Sequence, residues 1–411
     1  MSPIRLDSAR LLQMLDTLRQ IGRTEAGGVH RIAYTPADVE GRAQVMEWMT
    51  EASLEVQIDA AGNIIGRREG KDHSRPPIAA GSHIDTVPNG GAFDGSLGTL
   101  AALECAWTMA DQDLTTRHPF EVLVFQNEEG GLYGSAAMAG RLSAGDLDRP
   151  TLSRKTLREG IEFIGGNPEQ LEAARREPRA LAAYLELHIE QGAVLEHRRI
   201  PIGVVEGIFG IEQWDVTIRG AANHAGTTPM SERKDALLAA ADVIRGVNDI
   251  VRRAEGAQVG TVGQIEAVPG APNVIPGEVR LCIELRDLEA AKINELFTQV
   301  SERSRAIAKA TGTTIEFASR DLECLPAPTD AAVQNAITTA ARTLDLSYHG
   351  MPSGAGHDAQ NLAPIAPIGM IFVPSVGGIS HSPEEYSRPE DVVNGANVLL
   401  NAVLGLDARS E

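Results

Sequence analysis

Short apolar segments alternate with helix-like stretches through the first half of the chain. Residues 77–81 and 120–125 have the short apolar runs typical of buried strands, and residues 184–190 alternate polar with apolar positions. Residues 96–110 are instead rich in small and apolar side chains over a length that favours a buried helix. This alternation of strands and helices predicts an α/β fold with a mainly parallel central sheet.

Between residues 210 and 323 the pattern changes to strands with one apolar face and two amphipathic helices. The predicted elements are, in order, a strand at residues 213–219, a helix at 235–254, strands at 260–268 and 278–286, a helix capped by Asp287 and running to Thr311, and a strand at 313–317. The order βαββαβ is that of a ferredoxin-like layer. We therefore predict a small domain, residues 210–323, inserted into a larger one built from residues 1–209 and 324–411.

Composition limits the class of protein and its partners. A chain of 411 residues with 43% hydrophobic and 23% charged residues is typical of a soluble protein with two or more domains. The net charge of −19 argues against nucleic-acid and anionic-membrane partners, because binding phosphates needs a concentrated positive field. No apolar run reaches the roughly 18 residues of a membrane span. Three scattered cysteines and an amphipathic N-terminal segment without a signal-peptide pattern favour a cytoplasmic location.

Histidine and acidic residues follow the predicted strands. His83 and Asp85 lie two positions apart at a strand end, so their side chains project to the same side, and the carboxylate can hold the far N–H of the imidazole. Asp94 lies in a glycine-flanked turn before a predicted helix. Glu128 and Glu129 follow the next predicted strand, where adjacent carboxylates repel each other unless a cation lies near them.

Two further histidines complete a set of metal-binding residue types. His188 lies on the polar face of the alternating strand, and His381 lies in a glycine-rich loop near the C-terminus. Taken singly, each motif also has a structural explanation, as a hydrogen-bonded pair, a helix cap or a surface residue. Together, five residues offer the N and O donors that bind zinc, manganese, nickel or cobalt: His83, Asp94, Glu129, His188 and His381. Five donors hold two ions if one carboxylate bridges, which leaves Glu128 to take a proton from water.

Other catalytic arrangements find no support in the sequence. There is no GxSxG motif, no Walker loop and no GxGxxG after a predicted strand, and none of the three cysteines lies in a catalytic context. The residues therefore favour metal-assisted hydrolysis.

Eight motifs together resemble the hydantoinase/carbamoylase group, which contains the N-carbamoyl-L-amino-acid hydrolases, β-ureidopropionases and allantoate amidohydrolases, relatives of aminoacylases and zinc exopeptidases. In chain order they are GSHIDTVPNGGAFDG, QNEEG, ELHIEQG, HAGTTPM, NVIPG, ELRD, SGAGHD and GGISHSPEE. They span nearly the whole chain, and the resemblance implies a metallo-exopeptidase-like catalytic domain, residues 1–209 and 324–411, with the inserted domain as a lid and dimerisation domain. It also implies a homodimer and two divalent metal ions per subunit.

The resemblance assigns a role to each candidate residue. His83, Asp94 and His188 would hold one metal, and Asp94, Glu129 and His381 the other, with Asp94 bridging. Glu128 would be the general base and later the proton donor, and Asp85 would orient His83. In the inserted domain, His224 and Asn273 resemble residues that bind the substrate's carbonyl oxygen, and Arg286 resembles the arginine that binds its carboxylate. Gln191, Gly356 and His357 match positions lining the same pocket.

Without the resemblance, the residues of the inserted domain have structural explanations of their own. His224 precedes a Gly-Thr-Thr-Pro turn, Asn273 begins a turn-like segment, and Arg286 lies opposite the core face of its predicted strand.

The implied reaction is hydrolysis of a linear amide or ureido C–N bond in a small carboxylate substrate. The first choice is an N-carbamoyl-L-amino acid, which gives the amino acid, carbon dioxide and ammonia; allantoate or another ureido acid, and an N-acyl amino acid or dipeptide, are alternatives. A non-catalytic amino-acid-binding protein on the same fold is the alternative from another class. One departure concerns the loop after Glu129, where many relatives have an Arg-Phe pair and more residues than the segment 130–135 found here. The shorter loop bears on ureido specificity.

Overall fold

The computed structural model describes residues 3–320 and 324–408. Its helices are α1 Ser8–Leu18, α2 Pro36–Glu51, α3 Ser96–Asp111, α4 Tyr133–Met138, α5 Leu157–Phe163, α6 Val194–Arg198, α7 Ala236–Arg253, α8 Ala290–Thr311, α9 Ala331–Thr343, α10 Asp358–Leu362 and α11 Pro389–Asp407. Its strands are β1 Glu55–Ile58, β2 Ile64–Arg68, β3 Ile78–His83, β4 Phe120–Phe125, β5 Ala183–Ile189, β6 Ile202–Ile208, β7 Gly210–Arg219, β8 Asn223–His224, β9 Val259–Val268, β10 Val274–Ile275, β11 Glu278–Asp287, β12 Thr314–Ser319, β13 Ala327–Pro328, β14 Tyr348–Ser353 and β15 Ile368–Val373.

The chain divides into two compact units, residues 1–206 with 328–411 and residues 207–327. The larger unit contains a sheet of order β1-β2-β4-β3-β5-β15-β6-β13, with β14 paired to β6. Its central strands β4, β3, β5 and β15 are parallel, whereas β1–β2, β2–β4 and β15–β6 are antiparallel pairs. The predicted α/β fold with a mainly parallel central sheet is confirmed.

Apolar residues of the central strands and of the flanking helices form one large core. Both faces of β3, β4, β5 and β15 are buried, as expected when helices cover a parallel sheet on both sides. Helices α3, α9 and α11 pack on these strands, and α1 packs on α3. This packing fixes the carboxyl ends of the four parallel strands at one edge of the sheet.

The smaller unit has its own antiparallel sheet, of order β12-β7-β11-β9, and its own core. Helices α7 and α8 pack on this sheet, and the Trp214 ring stacks on Phe297 at 4.0 Å between centroids. A two-stranded ribbon of β8 and β10 extends from it. The expected ferredoxin-like lid and its boundaries at residues 210 and 323 stay predictions.

The prediction that Asp287 caps the following helix is wrong. Asp287 is the last residue of β11 and pairs with Gly210, so the extended backbone continues through it. Its carboxylate accepts the backbone N–H of Glu289 at 2.9 Å, and α8 begins only at Ala290, without a side-chain cap. In the described part of the chain, every helix is too short or too polar to cross a lipid bilayer.

Candidate metal centre

The candidate ligands lie beyond the carboxyl ends of the central parallel strands, which is the edge where open α/β sheets bind ligands. His83 ends β3, His188 is the penultimate residue of β5, and Glu129 follows β4. Asp94 lies in the loop between β3 and α3, and His381 lies in the loop between β15 and α11. Segments far apart in sequence therefore meet because their strands are neighbours in the sheet.

The first group of ligands is formed by His83, Asp94 and His188, all of them buried. One donor atom from each lies within 4.8 Å of the others. His188 Nε2 lies 3.0 Å and His83 Nε2 3.9 Å from Asp94 Oδ1. Each Nδ1 meets a backbone carbonyl oxygen instead, Asp85 O at 3.0 Å for His83 and Ile189 O at 2.9 Å for His188. A ring that donates through Nδ1 presents the lone pair of Nε2 to a metal.

The second group is formed by Asp94, Glu129 and His381, again with donor atoms within 4.8 Å of one another. His381 Nε2 lies 3.3 Å from Asp94 Oδ2 and 3.6 Å from Glu129 Oε2. Asp94 thus belongs to both groups, with Oδ1 toward the first and Oδ2 toward the second. This is the arrangement that a bridging carboxylate requires.

The pKa values of the ligands indicate that both groups favour positive charge beside their carboxylates. Burial and then the neighbouring Asp94 carboxylate raise the pKa of Glu129 to about 8. Burial lowers the pKa of His188, but the hydrogen bond and charge of Asp94 outweigh it and raise the pKa to about 9. The hydrogen bond with Asp94 likewise raises the pKa of His381 to about 9. In the metal-free protein, protons on these groups therefore compensate the negative charge of the buried carboxylates. Divalent ions of the kind bound by N and O donors would compensate the same charge.

Glu128 lies beside the first group without belonging to either. Its Oε2 is 3.7 Å from His83 Nε2, and its side chain is 9% exposed. Burial, and then the charges of Asp358 and Glu129, raise the pKa of Glu128 well above its usual value. A cation nearby would oppose these effects and favour the ionised form, which accepts a proton.

Asp85 contacts this site differently from the expectation. Its backbone oxygen, rather than its carboxylate, meets His83 Nδ1 at 3.0 Å, and Oδ1 is 3.7 Å from the same nitrogen. The two carboxylate oxygens accept the backbone N–H groups of Glu128 and Glu129, each at 3.2 Å. Asp85 therefore couples the position of His83 to that of the double glutamate.

Gly95 makes room for the first group. Its φ is +63°, and a Cβ built there would lie 2.3 Å from His83 Cε1. Asn127, Gln191 and His381 also have left-handed backbones, with φ between 51° and 58°. Such conformations cost free energy for residues other than glycine and recur at functional sites.

The larger unit also contains the predicted pocket residues Gln191, Gly356 and His357. Gln191 Nε2 donates to Asp94 Oδ2 at 2.8 Å, while its Oε1 is buried without a hydrogen-bond partner among the described residues. The buried His357 ring lies 4.5 Å from the His188 ring, and its Nε2 is 2.9 Å from Ser353 Oγ. A Cβ built on Gly356 would lie 3.6 Å from Leu132 Cδ1, in the short loop after Glu129.

The smaller unit holds the remaining candidates, His224, Asn273 and Arg286. His224 and Asn273 are exposed and adjacent, because His224 pairs with Val274 and the N–H of Ala225 donates to Asn273 O at 3.0 Å. Arg286 Nε donates to Glu284 Oε1 at 2.8 Å on β11. The roles expected for the residues of both units stay predictions.

Two charged residues that connect the ligand-bearing loops were not predicted from the sequence. The fully buried Arg31 donates to Ile84 O at 2.7 Å, to Leu18 O at 2.8 Å and to Ser96 Oγ at 3.0 Å, so it ties the segments after His83 and Asp94 to α1. Glu385 is buried as well and accepts the backbone N–H of Asp94. Arg31 lies outside the recognised motifs and gave no signal. Glu385 lies inside GGISHSPEE, where the resemblance assigns a role to the histidine alone.

Metal binding is expected to release protons at pH 7. The pKa values of Glu129, His188 and His381, raised to about 8, 9 and 9, leave these groups largely protonated in the metal-free protein, and ligation requires their deprotonated forms. Apparent affinity for zinc should therefore rise with pH and level off above about 9. Titration calorimetry in buffers of different ionisation enthalpy measures the release, and His381→Ala should reduce it. A binding enthalpy independent of the buffer would contradict this expectation.

Comparisons with known proteins identify the family of the chain. Residues 79–405 match the description "Peptidase family M20/M25/M40". The N-carbamoyl-L-amino acid amidohydrolase of Geobacillus stearothermophilus is 42% identical over 403 residues, which cover 97% of this chain and 98% of that protein. The allantoate amidohydrolase of Escherichia coli (strain K12) is 34% identical, with 94% and 95% of the two chains covered.

A solved structure gives the same result at the level of the fold. A hydantoinase/carbamoylase family amidase from Burkholderia multivorans superimposes with a TM-score of 0.92 at 36% identity and covers 99% of both chains. The resemblance inferred from the eight motifs is confirmed. The chain belongs to peptidase family M20/M25/M40 and, within it, to the hydantoinase/carbamoylase group.

Proposed function

We propose that this protein is a two-metal amidohydrolase that cleaves the ureido C–N bond of an N-carbamoyl-L-amino acid. Water is consumed, and the amino acid, carbon dioxide and ammonia are released. The observation that carries the proposal is the position of Asp94, whose two carboxylate oxygens face two separate groups of ligands while Glu128 lies beside the first.

Two divalent ions are the cofactor that suits these donors. His83, Asp94 and His188 would hold one ion, and Asp94, Glu129 and His381 the other; zinc, manganese, nickel and cobalt all accept such ligands. Bound there, the ions would supply Lewis acidity that lowers the pKa of water toward neutrality.

Glu128 would act as the general base. It accepts the proton of the attacking water and then delivers that proton to the leaving nitrogen, so one carboxylate serves both steps. Its burial favours this role, because a desolvated carboxylate is a stronger base than one in water.

His224 and Asn273 would stabilise the oxyanion that develops on the substrate carbonyl. His224 Nδ1 accepts the backbone N–H groups of Gly226 at 3.0 Å and Thr227 at 3.2 Å, so the ring proton lies on Nε2, which is then a donor. The adjacent Asn273 offers a second N–H donor. Each donor of this kind contributes roughly 3 kcal/mol to transition-state stabilisation.

The unpaired oxygen of Gln191 supports a substrate with N–H groups near Asp94. Gln191 Nε2 donates to Asp94 Oδ2, whereas its Oε1 is buried and has no partner among the described residues. A ureido nitrogen bound there would satisfy this acceptor. Gly356 and His357 would line the same pocket.

Replacement of Arg286 by lysine is expected to raise KM for the carboxylate substrate by about 10-fold or more with a smaller change in kcat, because a lysine cannot form the paired hydrogen bonds of a guanidinium. Steady-state kinetics with one N-carbamoyl amino acid measures the effect. Arg280→Lys is the matched control, since Arg280 lies on the same strand with an exposed side chain. Equal KM values for the two variants would contradict the role of Arg286.

The choice of substrate is based on the names of the relatives and on their identity to this chain. Those named N-carbamoyl-L-amino-acid amidohydrolase reach 42% identity, compared with 34% for the allantoate amidohydrolase. Allantoate remains the second candidate, since Leu132 in the shortened loop borders Gly356 and changes the shape of the pocket. N-acyl amino acids and dipeptides are further alternatives. A non-catalytic binding protein is disfavoured, because all five ligands and Glu128 are present.

The test is a substrate panel with the purified protein loaded with zinc, manganese, nickel or cobalt. N-carbamoyl-L-amino acids, their D-enantiomers, allantoate and N-acetyl amino acids are incubated separately, and ammonia and free amine are quantified. We expect equal amounts of ammonia and amino acid from N-carbamoyl-L-amino acids. Free amine from the acyl compounds alone would overturn the ureido assignment, and no turnover despite two bound ions would overturn the enzyme assignment.

The smaller unit is proposed to be a ferredoxin-like lid through which two subunits associate. Strand β9 is an edge of its sheet, so one side of ten residues of backbone is free for pairing within the described chain. Exposed apolar side chains accompany this edge: Leu237, Leu238, Val259, Ile265 and Val268. Pairing of two such edges would bury them.

Ile265→Lys is expected to shift the protein from dimer to monomer, because it places a charge on the proposed interface. Light scattering coupled to size-exclusion chromatography measures the mass. Leu152→Lys is the matched control, since Leu152 is 50% exposed and Ile265 49%. A monomer before substitution would exclude the dimer. The cytoplasmic location likewise remains a prediction.

A further inference from the structure

Glu385 is an acidic residue that the proposed chemistry does not use. It lies four positions after His381 in the loop between β15 and α11, and it is only 6% exposed. A buried carboxylate without hydrogen-bond donors would be costly. The hydrogen-bond donors around Glu385 therefore indicate its role.

Both oxygens of Glu385 bind residues next to the metal ligands. Oε1 accepts the backbone N–H of Phe93 at 2.9 Å and that of Asp94 at 3.0 Å. Oε2 accepts the hydroxyl of Ser380 at 2.8 Å, directly before His381. One side chain thus joins two loops that are 291 residues apart in sequence.

Ser380 extends this connection to the bridging carboxylate. Its Oγ lies 2.9 Å from Asp94 Oδ2 and 2.8 Å from Glu385 Oε2, and its one proton can be donated to only one of these two carboxylates at a time. Asp94 Oδ2 is the oxygen that faces His381 Nε2, at 3.3 Å. Glu385 therefore acts on the backbone of Asp94 directly and on its side chain through Ser380.

His381 is the most exposed ligand of the second position. The His381 side chain is 51% exposed, whereas those of Asp94 and Glu129 are 5% and 9% exposed. Gly91 makes room for the connecting residue, since a Cβ built there would lie 1.9 Å from Glu385 Oε1. The space between the two loops is thus matched to a glutamate side chain.

We propose that Glu385 is a positioning residue that aligns Asp94 with His381 and so sets the affinity of the second metal position, formed by Asp94, Glu129 and His381. This role rests on the proposed two-metal function and adds to it. It differs from a merely structural role because it acts more strongly on one of the two positions. The first position shares Asp94, but its other two ligands, His83 and His188, lie on strands, and Glu385 does not contact them in the described structure.

The experiment compares zinc binding by the unaltered protein and its variants in buffers of fixed free zinc concentration. Bound zinc is counted by elemental analysis, and affinities are obtained by competition with a chromophoric chelator. Glu385→Ala should bind the ion of the second position about 10–100-fold more weakly, the usual cost of losing a residue that orients a ligand, and should cause a smaller loss at the first position, which shares Asp94. Glu385→Gln should retain most of the affinity, because its amide oxygen accepts both backbone N–H groups.

Glu384→Ala is the matched control, since Glu384 is the adjacent residue of the same type and is exposed. It should bind zinc like the unaltered protein. A His381→Ala background provides a further check, because adding Glu385→Ala there should cause no loss beyond the smaller one at the first position if both substitutions act mainly on the same ion.

Ser380→Ala keeps the test decisive if Glu385→Ala fails to fold. It removes the hydroxyl link to Asp94 but leaves the two backbone hydrogen bonds of Glu385, and it should weaken the second ion more than the first. Parallel loss of both ions, or unchanged binding of both, would overturn the positioning role alone. Fewer than two ions in the unaltered protein would instead overturn the proposed two-metal function and this role with it.

Discussion

Replacement of Glu128 by glutamine is expected to lower kcat by about 10²–10⁴-fold, the usual contribution of a general base, while both metal ions stay bound. Glutamine has the shape of glutamate but cannot accept a proton at neutral pH. Glu128 belongs to neither group of ligands, so its loss should leave the metal content unchanged. Steady-state kinetics and elemental analysis on the same sample measure both properties.

The adjacent residue provides the control for this variant. Glu129→Gln changes the same functional group one position later, but Glu129 lies in the second group of ligands, so this variant should lose metal together with activity. The contrast separates a base from a ligand. A Glu128→Gln enzyme that turns over substrate at the unaltered rate would show that another group accepts the proton.

Replacement of Asp94 by alanine is expected to remove both metal ions and all measurable turnover. Its two oxygens are divided between the two groups, so a single substitution withdraws one ligand from each position. The affinity of each position should fall by more than the roughly 10–100-fold that follows from losing a residue that only orients a ligand. Zinc counted after dialysis at fixed free zinc measures the loss.

His381→Ala provides the comparison, because His381 contributes to one group alone and its loss should spare the other ion. Thermal unfolding adds an independent readout. Zinc at a hundred times its dissociation constant stabilises a protein by about 2.7 kcal/mol per site, and the Asp94→Ala variant should show none of this stabilisation. Retention of one ion at full affinity in that variant would exclude the bridging arrangement.

Strand ends explain why the sequence predicted so much of the site. His83, Glu129 and His188 each lie at or just beyond the carboxyl end of a strand with a strong apolar pattern, and parallel strands bring such ends to one edge of the sheet. Neighbouring strands therefore turn linear spacing into proximity. Asp94 and His381 lie in loops without a periodic pattern, and only their residue types and the family motifs identified them.

The contacts of the connecting residues could not be predicted, because many of them are made with backbone groups. Arg31 binds the carbonyl oxygens of Leu18 and Ile84, and Asp85 binds the N–H groups of Glu128 and Glu129. Every residue except proline offers such groups, so the sequence holds no sign of which one a side chain will find. The capping role of Asp287 failed for a related reason, since pairing with Gly210 extends β11 through it.

The unequal exposure of the ligands affects how fast each ion would exchange with the medium. His188 is 1% exposed and His83 2%, whereas His381 is 51% exposed, so solvent reaches the second position far more readily than the first. An ion held there would exchange faster with the surrounding medium, and the other would be retained for longer. Protein purified from cells that contain several metals would accordingly carry two different ions. The first position would retain the metal present during folding, and the second would hold the metal of the buffer.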